Sequence, residues 1–175
     1  MLITHIGSQY ATDHLDPHLG QFGWNKDGNQ LMIGIHVRYS AHCYSVSQEG
    51  PLPEGAFSFA DPGGGARVFS PDRHAHSLLV PAMIGGLIAK PTSPVARTHE
   101  SNWTIFALQM QPALAPGEIF YVFFRLKAAA GHLAAKFAGG VVALELYVES
   151  AYARTSKVRT GERKPFGALA AEFKK

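Results

Sequence analysis

Across residues 31–44, apolar and polar positions alternate. Leu31, Ile33, Ile35, Val37, Tyr39, Ala41 and Cys43 hold one parity; Met32, Gly34, His36, Arg38, Ser40, His42 and Tyr44 hold the other. Side chains of a strand point alternately to its two faces, so the run predicts a strand that buries its odd positions and presents its even ones. It exceeds the usual strand length, which predicts a bend or bulge near Ser40 and Ala41. Further on, Ser70, Pro71 and Asp72 read as a helix start: a capping hydroxyl, a proline at the first helical position, an acid in the first turn. Ala75, Leu78, Leu79, Ala82, Met83, Gly86 and Leu87 follow at helical spacing, and Pro81 among them predicts a kink or two consecutive helices.

Three more apolar runs, 103–110, 119–127 and 141–152, predict strands. Positions 119–124 are apolar on both parities, as in a strand covered on two sides. In the last run Val142, Leu144, Leu146 and Val148 alternate with Glu145, Tyr147 and Glu149, as in a half-buried strand. Residues 1–30 carry repeated turn signals and read as irregular, with 26–29 closing a hairpin into the alternating strand. Residues 48–66 read as loop with one short strand near 57–59, 90–101 as a connection, and 128–140 as a short helix or hairpin tip. The run 166–173 fits strand and helix alike. It is assigned to a strand, because the basic stretch 155–164 reads as a hairpin connection. No repeat or linker divides the chain. The expected fold is α+β, one domain over residues 1–175: an antiparallel twisted sheet of five or more strands with one kinked helix, 71–89, packed on it.

An apolar fraction of 46% and a charged fraction of 17% are globular values. No apolar stretch approaches the roughly 20 residues of a membrane span, and the first residues lack the pattern of a secretory leader. The single cysteine, Cys43, excludes an internal disulfide and fits a reducing compartment. A cytoplasmic location without membrane contact is expected. The net charge is +3, but residues 151–175 hold seven Lys and Arg against two Glu. The basic segment 154–164 therefore suits RNA or an acidic protein as partner, beside the plainer reading of a solvated hairpin.

His36, Arg38, Ser40, His42 and Tyr44 on one strand face form a cluster suited to metal-independent phosphodiester cleavage. One imidazole removes the ribose 2′-OH proton, another protonates the leaving oxygen, and a guanidinium stabilises the phosphorane charge. The same residues would also make an ordinary solvent-facing strand. A second cluster, Arg73, His74 and His76, sits in the first helical turn, where anions dock readily. Zinc ligation would have to draw on His36, His42, Cys43, His74 and His76. Their spacing matches no recognised finger, so no metal and no cofactor is expected. Cys43 has core parity, which argues against a nucleophile. The stretch 61–67 is glycine-rich but lacks the Gly-Lys-Ser/Thr ending of a phosphate loop and reads as a turn. Trp24 and Trp103 are assigned to packing rather than to base stacking.

Three segments carry a resemblance: Val37-Arg-Tyr-Ser-Ala-His-Cys-Tyr-Ser45, Arg67-Val-Phe-Ser-Pro-Asp-Arg73 with the residues after it, and Leu146-Tyr-Val-Glu-Ser-Ala-Tyr152-Ala-Arg154. Together they resemble a family of uncharacterised proteins of bacteria, their phages and mobile elements. More distantly, Ser150-Ala151-Tyr152 in a late strand is similar to a segment of the barnase/EndoU/colicin/RelE-type RNase fold. That similarity implies a metal-independent endoribonuclease of mobile-element or toxin type. His36 and His42 would then share the acid–base work and Arg38 and Arg73 would hold the phosphate. Ser40, Tyr44, His74, His76, Tyr152 and Arg154 would border the substrate. The alternative expectation is a non-catalytic phage or mobile-element accessory protein that binds a host or phage protein or nucleic acid.

Overall fold

The alternation that begins at Leu31 builds the centre of a sheet. The structure is a computed structural model and describes residues 1–98, 102–107 and 114–173. Its strands are β1 (Leu2–His5), β2 (Ser8–Ala11), β3 (His18–Lys26), β4 (Asn29–Tyr39), β5 (Ser45–Ser47), β6 (Ser58–Ala60) and β7 (Ala66–Phe69). They continue with β8 (Pro94–Thr98), β9 (Trp103–Ala107), β10 (Ile119–Ala128), β11 (Val141–Arg154) and β12 (Thr160–Pro165). The helices are α1 (Pro71–Ser77), α2 (Val80–Ala89), α3 (Gly131–Ala134) and α4 (Phe166–Ala171). Seven strands form the main sheet in the order β12-β8-β9-β10-β11-β4-β3, beside a β1-β2 hairpin and a small β5-β7-β6 sheet.

On β4 the odd positions Leu31, Ile33, Ile35 and Val37 are buried, as expected. The strand stops at Tyr39, where the alternation does not. Ser40 turns the chain into a 3-10 turn at Ala41–Cys43, its Oγ accepting from the His42 amide at 3.1 Å. Cys43 is fully buried, and burial pushes its thiol up to about 12. The helical segment 71–89 divides at Leu78 and Leu79 into α1 and α2, the outcome Pro81 predicts. Together with α4, these helices cover the face that holds Ile33, Ile35, Val37, Leu144, Leu146, Phe120 and Phe124 in one core. Gly20 and Gly167 allow the approach: a Cβ on Gly167 would lie 2.1 Å from Trp24.

The fold is mixed α and β and sheet-dominated, but four expectations need correction. The sheet is not purely antiparallel, because β11 runs parallel to β4 in its middle, with Leu144 opposite Ile35 and Leu146 opposite Val37. Parallel neighbours cannot be joined by a tight turn, and most of the chain lies between these two. The run from Phe166 is a helix. Phe166, Leu169 and Ala170 are buried at helical spacing, and Ala and Leu favour helix once Pro165 has ended the preceding strand. The stretch 155–164 is no hairpin, since β12 pairs with β8 at the far edge of the sheet rather than with β11. Residues 1–30 hold three strands and 90–98 a fourth, despite their Gly, Pro and His content. The end of the expected strand 103–110 and the last residues, Lys174 and Lys175, lie outside the described residues. No helix among the described residues is long and apolar enough to cross a membrane.

A bulge on β11 sets up the other face of the sheet. Phe124 pairs with Val148 and Phe123 with Ser150, so Glu149 is the extra residue and parity reverses beyond it. Ala151 can therefore stay in the core, while Ser150, Tyr152 and Arg154 join Tyr147 on the opposite face.

Candidate functional site

That opposite face is divided. Over the first half of β4 the Phe137 ring lies on Gly34, where a Cβ would sit 2.4 Å from it. His36, beside Gly34, is only 6% exposed. Burial lowers its affinity for protons, the Lys136 and Arg38 charges lower it further, and Glu145 opposes them. Beyond His36 the face opens into a cleft of about 790 Å³. Its floor holds Arg38 from β4, Phe123 and Arg125 from β10, and Tyr147, Glu149 and Tyr152 from β11. One wall is the 3-10 turn with the β6–β7 turn, contributing His42 and Asp61; the other is the segment carrying Arg154, Lys157 and Arg159.

This second wall is a strap. Arg154 sits level with Ile119, whereas Thr160 pairs with Thr98, whose amide donates to the Asn102 carbonyl beside Arg125. Between the two levels lie six steps of β10, roughly 20 Å, and between β11 and β12 four strand spacings, roughly 19 Å. On a flat sheet the diagonal would be about 28 Å, but six residues of chain reach only about 21 Å. The sheet is therefore curled; the strap bends at Thr155 and Ser156 as it leaves β11 and then runs through 157–159 across the concave side. The Val158 amide donates to the Tyr121 hydroxyl at 3.3 Å, which pins the strap over β10. Lys157 and Arg159 stand exposed on either side of half-buried Val158.

The first wall is held by two guanidiniums. Arg67, buried, donates from Nε to Ser45 Oγ and from Nη2 to the Ser45 carbonyl, both at 2.8 Å. Arg73 donates from one nitrogen to the carbonyls of His42 at 3.0 Å and Ser45 at 2.9 Å, and its guanidinium lies 4.8 Å from the Tyr152 ring centre. Burial lowers the proton affinity of both, a cost the fold accepts to fix the turn that carries His42. His42 Nε2 lies 2.7 Å from Asp61 Oδ2. That hydrogen bond is the main reason the Asp61 carboxyl is held below its ordinary range, with the Arg67 charge, 3.9 Å away, adding to it. Asp61 is itself placed by the tight turn 61–65, closed by the Asp61 amide on the Gly65 carbonyl. An ionised Asp61 accepts, so Nε2 carries a proton, and in the neutral imidazole the lone pair is on Nδ1.

Of the residues singled out from the sequence, Arg38, Ser40, His42, Tyr152 and Arg154 line this cleft. The others lie elsewhere. His36 is buried on the closed half of the face, two residues from the Gly34 that Phe137 covers, and Arg73 is behind the 3-10 turn. Tyr44 packs between Phe59 and Phe69. His74 faces Tyr10, with Nε2 at 2.7 Å from the Ala11 carbonyl, and His76 lies against Phe120. Trp103 is buried in the core and Trp24 packs against it. Among the described residues no group of three His, Cys, Asp or Glu is placed to hold a metal ion. Sequence reasoning missed Asp61, Arg125, Glu149, Lys157 and Arg159 as site residues; only the basic character of the last segment signalled any of them.

Charge in the cleft is unevenly matched. Arg125 is paired with Glu149 at 2.5 Å and with Asn102 at 2.8 Å, and Arg38 lies 3.7 Å from Glu145, which Lys127 shares. Among the described residues Arg154 bonds to the neutral Ser156 and has no ion pair, and neither do Lys157 and Arg159. Fold and site together define a sheet-dominated protein with a cationic cleft on a curled, strapped face. The family model of the YjaZ family matches residues 3–173, and the chain belongs to that family. No curated protein and no solved structure matches it.

Proposed function

We propose that this protein is a metal-independent endoribonuclease acting in the cleft, with His42 as its proton-transfer group. The observation that carries the reading is the His42–Asp61 pair, 2.7 Å apart, at the wall of a cleft whose other side presents Arg154, Lys157 and Arg159 without acidic partners among the described residues. An imidazole oriented by a carboxylate is the arrangement general-base catalysis uses, and unpaired cations suit a phosphodiester. In this reading Nδ1 of His42 takes the proton of a ribose 2′-OH. The 2′-oxygen bonds to phosphorus, the bond to the 5′-oxygen breaks, and the leaving oxygen takes a proton from Tyr152 or water. Arg38 balances the charge that builds on the phosphorane, and His36 and Arg73 play no part in the chemistry. A second reading, capture of nucleic acid without cleavage, draws support from His42 being the one imidazole among the described residues that line the cleft.

The test is incubation of the purified protein with single-stranded RNA in a chelating buffer. Fragments ending in 2′,3′-cyclic phosphate are expected, with a loss of at least about 100-fold in His42→Ala, the low end for a general base. Binding without cleavage by the wild type would rule out the nuclease and leave the second reading.

A further inference from the structure

We infer that the strap of residues 154–159 grips the backbone of a single strand some way from the bond broken at His42, so the substrate is an oligonucleotide several units long. The inference rests on the RNA reading of the cleft and adds to it the substrate's length and strandedness. Three observations lead to it. First, the strap is a chord across a concave face, pinned at mid-length to Tyr121. Its cations are thus held over the cleft by a segment fixed in β11 at Arg154, on Tyr121 through Val158 and in β12 from Thr160, rather than by a free loop. Second, Lys157 and Arg159 alternate with Val158, which places their Cα atoms about 7 Å apart. Successive phosphates of an extended strand repeat on a comparable scale. Third, the two walls are separated. Arg73 ties the His42 turn to the Tyr152 ring, Tyr152 pairs with Tyr121 on the next strand, and only there does the strap pass overhead.

On this inference a phosphate held at Lys157 or Arg159 is distinct from the one attacked beside His42. A dinucleotide, with one internal phosphate, cannot reach both; a longer strand can. The strap, pinned on the floor at Tyr121, bars the width of a stiff duplex from the floor of the cleft, whereas a single strand is narrow enough to lie against it. The Phe123 and Tyr152 rings stack on each other at 5.3 Å, and Arg73 lies over the Tyr152 ring, so the floor offers little platform for stacked bases. Grip through phosphate makes the site tolerant of base sequence.

The experiment uses 2′-O-methyl oligouridylates, which lack the attacking hydroxyl and are not cut, as a dinucleotide and as an octanucleotide. Affinity is followed by fluorescence anisotropy between about 50 and 200 mM salt, over which each phosphate contact adds about 0.7 to the log–log slope. The octanucleotide should bind at least about tenfold more tightly, and the double variant Lys157→Gln/Arg159→Gln should lower its slope by about 1.4 while leaving the dinucleotide unchanged. Arg163→Gln, which removes an exposed charge of β12 outside the cleft, should keep the wild-type slope. Equal binding of the two lengths, an unchanged slope in the double variant, or equal competition by duplex RNA would each overturn the inference while leaving a nuclease at His42 intact. Binding of neither oligomer would overturn both.

Discussion

Replacing Arg73 by Met separates a residue that holds the site from one that would bind substrate. The side chain keeps most of its apolar length and loses its guanidinium. Lost with it are the hydrogen bonds to the carbonyls of His42 and Ser45 and the contact with the Tyr152 ring. A hydrogen bond from a charged donor is worth about 1.5–3 kcal/mol net, and a partly desolvated cation–π contact about 1 kcal/mol. Against this, the Ser45 carbonyl keeps Arg67 as a partner, and a buried cation no longer has to be desolvated. The balance is a destabilisation of about 2–3 kcal/mol, which for a chain of this size lowers Tm by roughly 5–10 °C. Urea unfolding followed by tryptophan fluorescence measures it, with the m-value unchanged if only native contacts are lost. Arg73→Lys should recover part of the loss, since an ammonium reaches one carbonyl but lacks the planar fork. A Met variant within about 0.5 kcal/mol of wild type would refute the structural role given to Arg73. Undiminished stability together with abolished RNA binding would return Arg73 to the phosphate.

Two further predictions concern the closed half of the face. Gly34→Ala brings a Cβ to 2.4 Å from the Phe137 ring and should cost about 1–3 kcal/mol as the ring is displaced; wild-type stability in a melt would show that Phe137 has space to move. His36 takes up a proton less readily when folded than its ordinary value of 6.5, so near and below that pH the unfolded chain binds more protons and stability rises with pH. The contribution of neutral His36 is present above 6.5 and lost as pH falls through the folded value, so His36→Gln should flatten the fall in Tm between neutral and mildly acid buffer. An unaltered pH profile in the variant would remove His36 as its source.

How far the sequence reveals this structure depends on how local each cause is. The core face of β4 is legible because Leu31, Ile33, Ile35 and Val37 obey the strand period. The start of α1 is legible because Ser70 and Pro71 act on their own neighbours. The same pattern misleads at Ser40, where a single side-chain cap ends the strand while the alternation runs on to Tyr44. The helix α4 was hidden because Phe-Gly-Ala-Leu-Ala-Ala satisfies both periods, and its packing against β3 decides between them. Nothing near Arg163 or Lys164 indicates that they pair with Ala96 and Val95, far earlier in the chain, and the strap follows from that pairing. Glu149 bulges because Val148 and Ala151 must both face the core, a conflict of parity visible in the sequence once the strand is taken to extend through Arg154. Asp61 carries no local mark at all. It becomes a partner of His42 only through the pairing of β6 and β7, which brings its turn to the 3-10 turn.

The most direct test of the cleft as the site of RNA binding is to titrate an uncleavable single-stranded octanucleotide into isotopically labelled protein and follow backbone and imidazole resonances by NMR. The account predicts that the perturbed residues form one set, Arg38, His42, Tyr147 and the strap from Arg154 to Arg159, with His36, His74 and His76 unmoved. Shifts confined to other surfaces, or none at concentrations where RNA is cut, would contradict it.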